Sequence, residues 1–239
     1  MLPRRHPLAH AFLPGRSALA CVLGWALTTA AHAQLGGSVA LDTDDRYRGV
    51  SLGDSKPSVR LTLNYDAPER WYAGASLRPA RLAFVGTHAQ LTGYAGWVAA
   101  PAAGRSFEVG VEAVRFTGVS GYDYGEVYAG LLAERWSVRA YYSPDYYGRR
   151  VQTAYVEIAA QQPLAGHARL FVHAGTLVPL RGGQGEARRT RFDASAGAGV
   201  VVDAWDFYVA VVAATPGGPY PAVYDGRRAT VVAGALFSF

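Results

Sequence analysis

From Ser58 onward, apolar residues alternate with polar or small ones in one stretch after another. A period of two fits a pleated strand and does not fit a helix. Between Ser58 and Asp66, Val59, Leu61, Leu63 and Tyr65 interleave with Arg60, Thr62 and Asn64. Trp136, Val138 and Ala140 interleave with Ser137 and Arg139, and Leu170, Val172 and Ala174 with Arg169, Phe171 and His173. After the first 33 residues no stretch reaches the roughly 18 consecutive apolar residues of a spanning helix. The pattern predicts twelve strands, at 35–46, 58–67, 71–80, 84–99, 106–117, 123–133, 136–143, 150–162, 167–177, 190–202, 205–215 and 227–239. Short connections at 68–70, 100–105, 134–135, 163–166 and 203–204 alternate with longer ones at 47–57, 118–122, 144–149, 178–189 and 216–226. The link near Arg81 is the one that the pattern defines least.

The N-terminus reads differently. Arg4, Arg5 and Arg16 precede an apolar run from Ala18 to Leu27, and small residues surround a cut expected after Ala33. That arrangement predicts a secretory signal over 1–33, with the functional chain at 34–239. Cys21 lies inside the apolar run, so the remainder contains no cysteine and no thiol chemistry. The formal charge of +5 also belongs largely to this segment, because the remainder carries 20 basic against 18 acidic groups. So small an excess is no footprint for nucleic acid.

Alternation alone does not separate a soluble sandwich from a barrel in lipid. Three further features favour an all-β, transmembrane, antiparallel up-and-down barrel. Trp71, Trp97, Trp136 and Trp205 all lie beside short turns, where an interfacial aromatic girdle belongs. Tyr47, Tyr122, Tyr124, Tyr141, Tyr142, Tyr146, Tyr147, Tyr220 and Tyr224 gather toward the other end and read as its counterpart band. The last strand ends in Phe237 and Phe239, with apolar residues at alternate positions before them. That ending resembles the signal read by the bacterial barrel-assembly machinery. In lipid every backbone donor and acceptor needs a partner within the protein, which requires a closed barrel without edges.

The segment Asp45-Arg46-Tyr47-Arg48-Gly49-Val50-Ser51, followed by Lys56-Pro57-Ser58, Tyr65 and Trp71-Tyr72-Ala73-Gly74, resembles the opening of the TorF family of porin-type proteins. The likeness covers about 45 residues, and beyond them only strand rhythm and the terminal Phe agree. It implies a Gram-negative outer-membrane barrel in contact with lipid and lipopolysaccharide, and a pore; it supplies no substrate.

Barrels of about eight strands have filled cores and those of sixteen to eighteen have open channels, so twelve leave the interior undecided. The residues expected to line it are Arg60, Glu108, Glu112, Glu126, Arg139, Glu157 and Arg169. Inward glycines such as Gly96, Gly110 and Gly175 would leave room for water, whereas Tyr72, Tyr94, Tyr128, Tyr155 and Tyr208 would fill it. In the first long loop Asp44, Asp45, Arg46, Arg48 and Lys56 form a charge cluster. It reads either as a charged constriction or anion site, or as ion pairs that merely order a solvated loop. The arginine-rich segment 181–191, with Arg188, Arg189, Arg191 and Glu186, reads as an ordinary mobile loop, with a lipopolysaccharide contact as the alternative. Only His88, His167 and His173 follow the signal, without a nucleophile motif, phosphate loop or metal spacing. The sequence therefore points to passive diffusion of small polar solutes or ions, without cofactor or catalysis. A non-conducting structural or adhesive barrel is the alternative, and a lipid-modifying enzyme a more distant one.

Overall fold

The computed structural model describes residues 34–82, 85–102, 104–220 and 229–239. The expected signal 1–33 lies outside them, as does Tyr224. Twelve antiparallel strands close into a barrel: β1 (Gln34–Asp42), β4 (Ser58–Asp66), β5 (Trp71–Leu82), β6 (Gly86–Ala102), β7 (Arg105–Phe116), β8 (Tyr124–Ala133), β9 (Trp136–Ser143), β10 (Gln152–Pro163), β11 (Ala168–Arg181), β12 (Arg191–Val202), β13 (Trp205–Ala214) and β14 (Ala229–Ser238). Two very short strands, β2 (Arg46–Tyr47) and β3 (Val50–Ser51), form a separate hairpin between β1 and β4.

Neighbours in sequence are neighbours in the wall, and β1 closes the ring against β14 from Ser38↔Ser238 to Asp42↔Gly234. Beyond that register Gly37 and Phe239 exchange backbone hydrogen bonds at 2.9 Å each, so the C-terminal residue completes the seam. Every wall strand thus has a partner on both sides, as a lipid environment requires.

The alternation divides the wall into two faces. Val59, Leu61, Val109, Val111, Val127, Ile158, Val172 and Val209 lie on the outer face, each roughly half exposed. Arg60, Glu108, Glu112, Glu126, Arg139, Glu157 and Arg169 are buried on the inner face. Trp71 and Trp97 are directly opposite one another on β5 and β6, and Trp205 packs on Phe237 at 5.0 Å, all at the short-turn end and facing outward. Strand ends depart from the expected ones where loops fold inward: β1 stops at Asp42 rather than continuing to 46. At the long-loop end β5 runs to Leu82 and β6 begins at Gly86, where the pattern placed these ends at 80 and 84.

Inside, tyrosines lie across glycines on the adjacent strand. Tyr94 covers Gly74, Tyr72 covers Gly96, Tyr128 covers Gly110 and Tyr208 covers Gly234, each pair directly opposite in register. The missing side chain makes a slot for the ring, so the glycines that sequence offered as open space are filled. A Cβ at Gly110 would meet Tyr128 and also the Ala95 carbonyl oxygen at 2.6 Å, and the backbone cannot yield as a ring tip can. Gly110→Val is therefore expected to destabilise the barrel by about 1–3 kcal/mol. Gly93→Val, where the same atom would meet open space, should leave the denaturation midpoint unchanged. Equal midpoints for the two variants would contradict the slot.

Candidate functional site: a hairpin inside the bore

The first long loop turns back into the barrel. Its tip is a two-residue turn between Tyr47 and Val50, with Arg48 at φ 48° and Gly49 at φ 73°. Positive φ at both central residues is the hairpin geometry that matches strand twist. Gly49 is needed for a second reason. A Cβ there would lie 2.6 Å from that of Ala214 and 2.8 Å from that of Asp193, so the tip touches the β12–β13 wall. Arg48 reaches Glu126 on β8, on the other side of the bore. The hairpin therefore crosses the lumen.

Buried ion pairs hold it there. Arg48 donates to both Glu126 oxygens, at 2.9 and 2.7 Å, and its guanidinium lies 4.1 Å from the Tyr155 ring centre and 5.0 Å from that of Tyr141. Asp45 receives Arg60 at 3.0 Å and Arg78 at 3.3 Å, and Arg60 also lies 3.5 Å from Asp42. Asp44 accepts from Arg46 at 2.6 Å and from the Ser51 hydroxyl at 2.6 Å. The wall itself reinforces the hairpin, since the Arg81 amide donates to the Leu52 carbonyl at 2.6 Å.

The loop charges are thus placed differently from a solvated cluster. Asp44, Asp45, Arg46 and Arg48 are buried in the bore, and only Lys56 remains outside, 3.9 Å from Asp54. Alternation along a strand shows which wall charges face inward, but it carries no information on where a loop goes. The tyrosine band is corrected as well. Tyr124, Tyr141, Tyr146, Tyr147 and Tyr220 are buried in one internal cluster with Tyr122 packed against it, Tyr47 is buried with its hydroxyl toward Glu126, and Tyr142 faces outward. The signal was available for two of them, because Tyr124 shares strand parity with Glu126 and Tyr141 with Arg139. Arg191 is also buried, donating to the Gly217 carbonyl at 3.3 Å, while Arg189 stays exposed with Glu186. Arg78 and Asp42, which sequence did not single out, belong to the site.

Burial pushes the Tyr47, Tyr146 and Tyr147 phenols up from their ordinary range and Tyr220 up to about 12. Burial is the largest influence on Arg48 and opposes its charge, but the Glu126 carboxylate and its hydrogen bond, with the Tyr146 and Tyr47 phenols, together hold the guanidinium above its ordinary value. The folded phenols titrate above the unfolded value of about 10, so the stability they give is complete below that pH and is lost as pH rises above it. Tyrosinate absorbance should therefore lag an unfolded reference and rise together with protease cutting in the hairpin as pH approaches about 12. Cutting that begins well below pH 10 would contradict this.

A cavity of about 80 Å³ remains between the hairpin and β10–β14, room for several waters. Asp42, Arg48, Glu157, His173 and Asp193 are among its lining residues. His173 Nε2 lies 2.9 Å from Asp193, and the Tyr155 hydroxyl donates to Asp193 at 3.2 Å. Elsewhere Glu108 pairs with Arg139 and accepts from Tyr72 at 3.0 Å, and Arg169 pairs with Asp206 at 2.6 Å. Among the described residues no cluster of His, Cys, Asp and Glu suits a metal ion.

A closed antiparallel barrel with an apolar outside and a charged bore is the architecture of outer-membrane porins. The chain belongs to a family of bacterial proteins of unknown function, Gcw_chp, whose model matches residues 26–230 and so takes in the whole TorF-like segment. Among solved structures the KdgM porin, 12% identical, superposes with a TM-score of 0.56 over 85% of this chain and 99% of its own. The KdgM porin in complex with disordered oligogalacturonate gives 0.53 at 12% identity, over 87% and 99%. A structure from work on in-meso crystallization of membrane proteins gives 0.56 at 8% identity, over 87% and 83%. No curated protein matches.

Proposed function

We propose that this chain is a narrow outer-membrane diffusion channel, of the TorF porin type, that passes small polar solutes or ions without cofactor or turnover. One observation carries this: charged side chains and a cavity with room for several waters occupy the enclosed side of the wall, while the outer side is aliphatic. A barrel serving only as a scaffold has no need of a bore built from so many desolvated charges, each of which is costly to bury. Residues 1–33 direct export, the strand ending in Phe237 and Phe239 is read by the assembly machinery, and the Trp71, Trp97, Trp136 and Trp205 girdle sits at one membrane interface. Lipopolysaccharide contacts the opposite rim.

The bore is constricted by the hairpin at 43–57, so the expected unit conductance is small. Refolded protein in a planar bilayer tests this. Discrete current steps support the channel, whereas no current from a barrel verified as folded supports the non-conducting structural alternative. Lipid hydrolysis lost on His173→Ala would instead point to an enzyme.

A further inference from the structure

The chain as a whole carries a formal charge of +5, yet the buried charges of the barrel lean the other way. Among the described residues, nine carboxylates and seven guanidinium groups are buried. Most cancel locally. Arg46 neutralises Asp44, Arg48 neutralises Glu126, and Arg60 with Arg78 offsets Asp42 and Asp45. Arg139 and Arg169 are held by Glu108 and Asp206. Arg191 turns to the Gly217 carbonyl and the Tyr220 ring, 5.1 Å from its centre.

Two carboxylates on the cavity are treated differently. Glu157 accepts from the Tyr141 hydroxyl at 3.0 Å, and Asp193 accepts from the Tyr155 hydroxyl at 3.2 Å. Glu157 is opposite Arg139 on β9, but that guanidinium is bonded to Glu108, and no ion pair among the described residues joins Asp193 to an arginine. A neutral phenol stabilises a carboxylate by hydrogen bonding and leaves its charge uncancelled. The register sets these two side by side, because Glu157 is opposite Gly175 on β11 and Gly175 is opposite Asp193 on β12. The glycine between them contributes no side chain, and the Tyr155 hydroxyl lies over it. Two negative charges therefore line one wall of the cavity. His173 beside Asp193 is the one titratable base there, and even when charged it cancels only one of them.

We infer that the bore selects small cations over anions, and that Glu157 and Asp193 are the residues that set the preference. This rests on the diffusion-channel function proposed above. Excess carboxylate charge in a narrow, partly desolvated passage attracts cations and repels anions much more strongly than the same charge in bulk water. Arg46 and Arg48 also line this cavity, but each is paired with a carboxylate of its own, Asp44 and Glu126, so Glu157 and Asp193 leave the space net negative.

The test is the reversal potential of the full chain in a planar bilayer under a potassium chloride gradient, for wild type and for Glu157→Gln with Asp193→Asn. The expected result is a several-fold preference for potassium over chloride, which falls toward unity in the double variant. Glu186→Gln, on an exposed loop, should leave it unchanged. A chloride preference in wild type, or an unaltered ratio in a double variant that still conducts, overturns the inference while leaving the channel intact. Absence of any current from folded wild type removes the channel and the inference together. Should the double variant fail to fold, the two single variants are each expected to lose part of the preference, and a ratio unmoved in both overturns the assignment.

Discussion

Glu126→Ala is expected to release the hairpin from the bore and raise the unit conductance several-fold. The Glu126 and Arg48 side chains are 1% and 3% exposed, so removing the carboxylate leaves a guanidinium buried without its counter-charge. Losing one partner of such a pair costs about 3–5 kcal/mol. That cost falls on the weakest cooperative unit. The wall is a continuous twelve-stranded ladder, whereas the hairpin is held by a four-residue sheet and a handful of side-chain contacts. The hairpin should therefore move to water before the barrel opens. Two readouts follow. Conductance rises because the constriction leaves the path. A V50C thiol, at a position 7% exposed in the wild type, becomes reactive toward a water-soluble maleimide in the Glu126→Ala background. No cysteine lies within 34–239 to confuse the labelling. Glu126→Gln keeps one acceptor for Arg48 and should fall between. A V50C thiol still protected, with conductance unchanged, would show that this pair does not latch the hairpin.

The second large effect concerns the outside of the barrel. Val111→Arg places a guanidinium in the middle of β7 at a side chain 55% exposed, flanked in register by Ala95 and Val127. In a water-soluble protein a substitution at so exposed a position stays within about 0.5 kcal/mol of neutral. In a bilayer the same change at mid-depth costs about 2–4 kcal/mol. Denaturant titration of the chain refolded in lipid vesicles separates these outcomes, with Glu69→Arg in the exposed short turn as a control expected to have little effect. An unchanged midpoint for Val111→Arg would mean that this face does not meet acyl chains.

Taken together, the two variants test the two sides of one wall. The aliphatic face is expected to be intolerant of charge because it meets lipid, the charged face intolerant of losing charge because its ions are desolvated and paired. Their sensitivities have opposite origins, and both follow from the alternation along each strand.

That alternation is a local property, which is why so much of the wall was legible. A residue two positions from Arg60 or Glu108 points the same way whatever the rest of the chain does, and a short polar turn such as 134–135 commits its flanking strands to pair. The positions of Trp71, Trp97, Trp136 and Trp205 beside such turns follow from the same rule. So does the inward direction of Glu157 and His173.

What the strands enclose is not local. Arg48 meets Glu126, 78 positions along the chain, and Tyr208 meets Asp42, 166 positions away. Nothing in the order Asp44-Asp45-Arg46-Tyr47-Arg48 distinguishes a loop that enters the bore from one that waves in solvent. The difference lies in whether an enclosed space of matching charge awaits it. Amino-acid order alone thus settled the strands, their two faces and the closed wall, since each depends on neighbours within a few residues. Only tertiary structure decided that the first loop enters the lumen, that the loop-end tyrosines line an interior, and that Glu157 and Asp193 stay outside the arginine ion pairs, because ion pairing in a desolvated bore is determined by which distant groups the closed barrel brings within about 4 Å.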